Sequence, residues 1–267
     1  MVSISYTSFL YQMKVTLIQL DIEWGKPTEN IKRIEIMMEK DSDNSDLYVL
    51  PEMWSTGFAI EPSGIAEDET TSISLEWMKK TAHDRHCAIC GSLAVRVNGV
   101  YRNRHYYIDG RNGIVHHYDK HHLFSYGGED QYYKAGEKHT IVNYMGYRIL
   151  LLTCYDLRFP VWSRYANNLQ FDVIVVVANW PVSRQNAWQI LTRARAIENQ
   201  AFLIGCNRVG YDHFSHYIGQ SAIISPNGKT LAYCPSNKEC IVSFHLNKLL
   251  LDHQRTKFAV LKDRDIL

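Results

Sequence analysis

Residues 146–160 read GYRILLLTCYDLRFP. A nearly continuous apolar run, 147–154, climbs to Cys154 and gives way at once to bulky and charged residues. Such a run fits a strand covered on both faces, as in a parallel sheet. A second run of the same kind, DVIVVVANW at 172–180, ends at Asn179 and Trp180. Two buried strands of this type, separated by a helix-like stretch, point to an α/β fold in which the strand ends carry the chemistry, because open α/β sheets bind ligands beyond the carboxyl ends of their strands. Most free cysteines are small buried hydrophobes, so Cys154 has to be judged by its company.

Working outward, KVTLIQLDI (14–22) and DLYVL (46–50) read as strands, and a helix is predicted over 28–40 with Thr28 as its candidate N-cap. A second helix covers 72–86, with Leu75, Met78 and Lys79 spaced for one face. Three β-like runs near 88–97, 100–109 and 113–118 are separated by hairpin signals at Asn98-Gly99 and around Gly110. The polar stretch 119–140 is long for a connection in a compact domain; its aromatic residues favour an ordered, functional loop. VWSRYANN (161–168) reads as a helix. The clearest helix spans 186–200, with Ala187, Ile190, Leu191, Ala194 and Ile197 on one face. Strands are expected at 201–208, 217–225 and 230–233, with SPNGK turning the chain between the last two. No repeat or linker interrupts the pattern, so one domain over 13–267 is the economical reading. Residues 1–12 read as an N-terminal arm or as sequence upstream of the true start at Met13.

The composition narrows the function classes. The chain has 267 residues, enough to bury a core without disulfide or metal staples. A net charge of +1 with no basic stripe argues against a nucleic-acid partner. No stretch approaches the roughly 18 consecutive apolar residues of a membrane span. The six cysteines, Cys87, Cys90, Cys154, Cys206, Cys234 and Cys240, lack a secretory framework and read as reduced thiols of a cytoplasmic protein. Cys87 and Cys90 form a C-x-x-C without thioredoxin-like surroundings or further zinc ligands.

Three further segments resemble the one around Cys154. Glu52 follows the strand LYVLP, Lys120 follows IVHHYD with Glu129 further along the same loop, and Asn179 and Trp180 follow DVIVVVA. Each carboxylate or ammonium alone reads as a solvated loop charge or a turn residue. Together with Cys154 they form a chemical set. A free thiol titrates near pH ~8.5 and needs a base. A carboxylate accepts its proton, an ammonium favours thiolate and oxyanion, and a second carboxylate holds the ammonium. Arg158 and Arg184 are candidate anchors for a substrate carboxylate, although Arg158 equally fits a brace for the turn. Phe58, Trp180 and Trp188 are candidates for an apolar wall or for core.

The blocks LPEMWSTGF, YDKHHLF…GGED and LLTCYDLRFP resemble the three signature blocks of the nitrilase superfamily of carbon–nitrogen hydrolases, in the same order, over residues 14 to 245. The resemblance implies a four-layer αββα sandwich that pairs into a homodimer or larger assembly. It implies a Glu52–Lys120–Cys154 triad with Glu129 as second glutamate, the backbone N–H of Tyr155 as oxyanion donor, and no cofactor. Residues 177–210 resemble the omega-amidase branch, which hydrolyses the terminal amide of small 2-oxo dicarboxylic acid monoamides, with Phe58, Tyr155, Asn179, Trp180 and Arg184 as candidate substrate contacts. The rivals are another amidase, carbamoylase or nitrilase of the same superfamily. A Cys-His protease or a zinc site built on the His116-His117 or His121-His122 pairs lacks the matching local signatures, and a catalytically inert scaffold has no need for the four residues together.

Overall fold

The computed structural model describes residues 12–265. The expected arm, 1–12, therefore lies outside the described residues except for Gln12, which already begins the first strand, β1 (Gln12–Gln19). The chain continues through α1 (Pro27–Met38), β2 (Leu47–Val49), β3 (Glu67–Asp68), α2 (Ile73–Asp84), β4 (Ala88–Val97), β5 (Val100–Asp109), β6 (Ile114–Asp119), β7 (Ile141–Tyr144), β8 (Tyr147–Thr153) and β9 (Val173–Ala178). Then follow α3 (Gln185–Glu198), β10 (Phe202–Asn207), β11 (Val209–Tyr211), β12 (His216–Ile218), β13 (Ala222–Ile224), β14 (Thr230–Tyr233), β15 (Cys240–Asn247) and α4 (Lys248–Lys257).

The strands form two large sheets. The first has the order β15-β1-β2-β4-β5-β6, with β3 beside β4; the second has the order β14-β13-β10-β9-β8-β7. Each is built around three parallel strands, β1, β2 and β4 in one and β8, β9 and β10 in the other. Antiparallel strands flank them. This explains the two apolar runs: β8 and β9 are central strands, and every side chain of β9 is buried. One core fills the space between the sheets, joining Val15, Leu17, Val49 and Cys90 to Leu150, Leu152, Val175 and Cys206. A second core lies under α1 and α2, where Ile34, Met38, Leu75 and Met78 meet Ile18, Tyr48 and Ile89 on the outer face of the first sheet. Trp188 and Ala196 of α3 pack on the second sheet. The layer order is αββα.

Several sequence expectations change. Thr28 is not the cap of α1: Lys26 holds that position and Pro27 opens the helix, where its missing N–H costs nothing. α2 is capped by Ser72, whose side chain accepts from Leu75 N at 3.0 Å. Residues 161–168 form turns instead of a helix; they are tied down from α3, whose neighbour Asn199 donates to Ser163 O and accepts from Tyr165 N. The face assigned to the 186–200 helix is also wrong. Ile190 and Ile197 are exposed, while Trp188, Thr192, Arg195 and Ala196 are buried. The expected strand 217–225 is split between β12 and β13, which belong to different sheets. Cys87 and Cys90 project into different cores, which separates the two thiols of the C-x-x-C.

Candidate active site

The carboxyl ends of β2, β6, β8 and β9 converge. Glu52 follows β2, Lys120 follows β6, Cys154 follows β8 and Asn179 follows β9. Lys120 Nζ lies 3.0 Å from Glu52 Oε1 and 2.7 Å from Glu129 Oε2, with all three side chains withdrawn from solvent. Glu129 arrives from the long loop, which is ordered by two short 3-10 turns, Ser125–Gly127 and Glu129–Gln131. Between them Gly128 adopts φ +83°, a left-handed conformation that glycine takes without steric cost. Phe124 N donates to Glu129 Oε2 at 2.6 Å. Asn179 N donates to Glu52 Oε2 at 2.8 Å, and Asn179 Nδ2 to Glu52 O at 2.8 Å.

Cys154 stands one residue past the last ladder residue of β8, at φ +45°. A non-glycine residue there costs on the order of 1–3 kcal/mol and persists only where its surroundings hold it. Asp156 is the clamp. Its fully buried carboxylate accepts from Thr153 N at 3.0 Å, Tyr118 Oη at 2.7 Å and His122 N at 2.8 Å. From the helix layer, Arg195 donates twice to Leu157 O, at 3.1 and 2.9 Å. The strained turn pushes the sulfur out of the sheet towards the charged cluster.

Electrostatics follow from burial and contact. Burial pushes the Cys154 thiol well up, and the neighbouring Glu52 adds to this while Lys120 opposes it. Burial raises the Glu129 carboxyl, against the pull of Lys120. Burial alone would lower Lys120, but Glu129 and Glu52 outweigh it and hold the ammonium charged. The resting site therefore pairs a protonated thiol with a charged ammonium, and the Glu52 carboxyl stands beside both.

Cys154 and Lys120 form the floor of a cavity of about 440 Å³ whose wall includes Phe58, Tyr155, Asn179, Trp180, Arg158 and Arg184. Trp180 is buried yet contributes to that wall, fixed by its Nε1 donating to Arg184 O at 2.8 Å. Trp188 does not reach the cavity; its ring lies tilted against Trp180, with centroids 5.7 Å apart. Arg158 reaches the cavity with its guanidinium 4.9 Å from the Trp180 ring, so the brace of the turn is Asp156 and not Arg158.

The family model for carbon–nitrogen hydrolases matches residues 14–250. The chain belongs to the carbon–nitrogen hydrolase family. Over 256 residues, 95% of this chain and 97% of the relative, it is 40% identical to the omega-amidase YafV of Escherichia coli. It is 39% identical to the 2-oxoglutaramate amidase of Bacillus subtilis, over 82% of this chain and 85% of that one. A solved Xanthomonas campestris protein of the CN-hydrolase superfamily, with an arsenic adduct in its active site, superposes with a TM-score of 0.91 at 34% identity, covering 96% of this chain and 98% of that chain.

Within this carbon–nitrogen hydrolase, sequence reasoning missed several groups. Phe124, Tyr126 and Ile60 line the cavity from one side, and Asp212, Phe214, Ser215 and Tyr217 from the β11–β12 hairpin on the other. Phe124 and Tyr126 belong to the loop already marked as functional by its aromatics. The hairpin gave no local signal, since 217–225 read as one strand. Asn103 of β5, which touches both glutamates, sits in a run of polar and aromatic strand residues that marks no position as special.

Proposed function

We propose that this hydrolase is an omega-amidase that releases ammonia from the terminal amide of a small 2-oxo dicarboxylic acid monoamide through a Cys154 thioester. Glu52 takes the Sγ proton as Cys154 attacks the amide carbon. The developing oxyanion is met by the Lys120 ammonium and the backbone N–H of Tyr155. Protonated Glu52 returns the proton to the amide nitrogen, the C–N bond breaks and ammonia leaves. Water then loses a proton to Glu52 and attacks the thioester, and collapse gives the acid and restores the thiol. Glu129 holds Lys120 between two carboxylates and faces the amide nitrogen. Thiol, carboxylate and ammonium, with the attacking water, supply every proton and electron pair, so the scheme calls for no cofactor.

The observation that carries the substrate class is the pair of guanidiniums in the cavity. Among the described residues neither Arg158 nor Arg184 appears in an ion pair; each lies over an aromatic face, Trp180 at 4.9 Å and Phe124 at 5.1 Å. Asp212, the carboxylate on the same wall, is occupied by Phe214 N, Ser215 N and Tyr217 Oη. Two unneutralised guanidiniums above a thiol suit a substrate with a carboxylate at the end opposite its amide.

The test is ammonia release from 2-oxoglutaramate, with glutamine, asparagine and a simple nitrile beside it, in the wild type and in Arg184→Ala. The expected result is preference for the 2-oxo amide, with KM raised roughly tenfold or more in the variant. Preference for a nitrile or a ureido acid discards the omega-amidase reading.

The reading also includes a homodimer or larger homo-oligomer, supported by the outward Ile190 and Ile197 of α3, and a cytoplasmic place, supported by six unpaired cysteines. Among the described residues no helix is long and apolar enough to cross a membrane. Light scattering showing a monomer in solution would remove the oligomer.

A further inference from the structure

Asn103 occupies the centre of the charged cluster without being charged. Its Nδ2 donates to Glu52 Oε1 at 2.7 Å and to Glu129 Oε1 at 3.0 Å. Its backbone O accepts from Lys120 N at 3.0 Å. One residue of β5 thus contacts both glutamates and the lysine, and it is 1% exposed. The two N–H bonds of the amide close a ring with the two bonds of Lys120 Nζ, so each glutamate is held from both sides.

The amide can point only one way. Reversed, its carbonyl would face two carboxylate oxygens. In the observed orientation Asn103 Oδ1 is buried with no hydrogen-bond partner among the described residues. An unpaired buried acceptor costs about 1–3 kcal/mol, so the N–H contacts are kept at the expense of stability. The amide meets Glu52 and Glu129, and the charged or titratable groups around those two carboxylates are Lys120, Cys154 and Tyr133. Lys120 brings one positive charge for two carboxylates. Asn103 supplies the remaining donors without adding charge.

We infer that Asn103 is a positioning residue that keeps Glu52 and Glu129 ionised side by side, so that Glu52 meets the Cys154 thiol as a base. This rests on the proposed roles of Glu52 and Cys154. Hydrogen bonds to the charged form of a carboxylate favour that form, and their removal lets it protonate at higher pH. Two like carboxylates in one site take up their first proton early, and Asn103 opposes that uptake at both members at once.

The experiment is the pH profile of kcat/KM for the best primary amide substrate, measured for wild type, Asn103→Leu and Asn103→Ser. Leu removes both donors; Ser keeps one hydroxyl and less bulk, and carries the test if Leu does not fold. The acid limb is expected to move to higher pH, by about one pH unit in the Leu variant and less in the Ser variant. The expected fall in kcat at neutral pH is roughly tenfold or more, with KM within about twofold. A drop in activity with the acid limb unmoved, or a change confined to KM, overturns the inference. Cys154→Ala and Glu52→Gln are run beside them. Activity surviving in those two breaks the proposed mechanism itself; activity lost there with an unmoved limb in the Asn103 variants breaks the positioning role alone.

Discussion

Cys206 and Cys154 end up two strands apart in the same sheet. Cys206 and Thr153 both pair with Val177 of the intervening strand β9, so Cys154 stands one residue beyond the level of Cys206. Cys206 stays in the ladder and turns its sulfur into the sandwich, 3.4 Å from Ile18 O and 3.3 Å from Val49 O. Burial alone pushes its thiol far up, and no charged side chain helps it lose its proton. Cys154 leaves the ladder at φ +45° and meets Glu52 and Lys120. Two thiols on adjacent levels of one sheet are thus given opposite characters by a single step of backbone and by the charges waiting beyond it. Strand position alone does not make a nucleophile.

The strongest way to break this contrast is to delete each sulfur. Cys154→Ala is expected to lower ammonia release by roughly a thousandfold or more, while Cys206→Ala keeps kcat and loses about 1–2 kcal/mol of stability. Ammonia assays and urea unfolding on both variants check this; comparable activity in both would erase the distinction. Next in size, Asp156→Asn loosens the clamp under the strained turn. We expect kcat to fall roughly a hundredfold, the scale of a small misplacement of a reacting atom, together with a lower Tm in a thermal scan. Wild-type kcat with a reduced Tm would show that the turn holds its geometry without Asp156.

Two smaller effects concern neutral buried groups, His105 against the second sheet and Cys87 in the core under α1 and α2. His105, in contact with Leu152 O, is driven by burial from 6.5 down to about 4. The unfolded chain binds that proton first, so its contribution to stability is whole above pH 6.5 and is lost as the pH falls to about 4. Urea unfolding of His105→Leu between those limits is expected to show a shallower loss than wild type, and an unchanged slope would refute the assignment. At the alkaline end burial raises the Cys87 thiol from 9.0 to about 12. Its contribution is whole below pH 9.0 and is lost as the pH rises through about 12, so Cys87→Ala should flatten that part of the stability profile.

How far the sequence spoke depended on whether a signal was local. Hairpins were legible because Asn98 and Gly99 both take positive φ, the conformation their types favour. The strand ends were legible because β8 and β9 are apolar on both faces and stop abruptly. The α3 face was not, because its buried side includes Arg195 and Thr192. Arg195 finds Leu157 O, and Thr192 Oγ1 finds the helix carbonyl of Trp188, so polar residues fill the inward stripe and isoleucines the outward one. Asn103 escaped notice because its partners come from Glu52 and Glu129, far away in the chain. β15 and α4 also went unread; β15 is mostly half-buried at the sheet edge and has no continuous apolar run.

That last strand has a consequence for how the molecule assembles. β15 pairs along the full length of β1, Gln12 with Asn247 through Gln19 with Cys240. The first sheet cannot be completed until more than two hundred residues separating its two neighbouring strands have been made. Loop closure of that span is an entropic cost met before the contact repays it. Until then β1 offers an open hydrogen-bonding edge, the kind that invites pairing with another chain. On a ribosome the earlier αβ half waits for β15 to emerge and seal it.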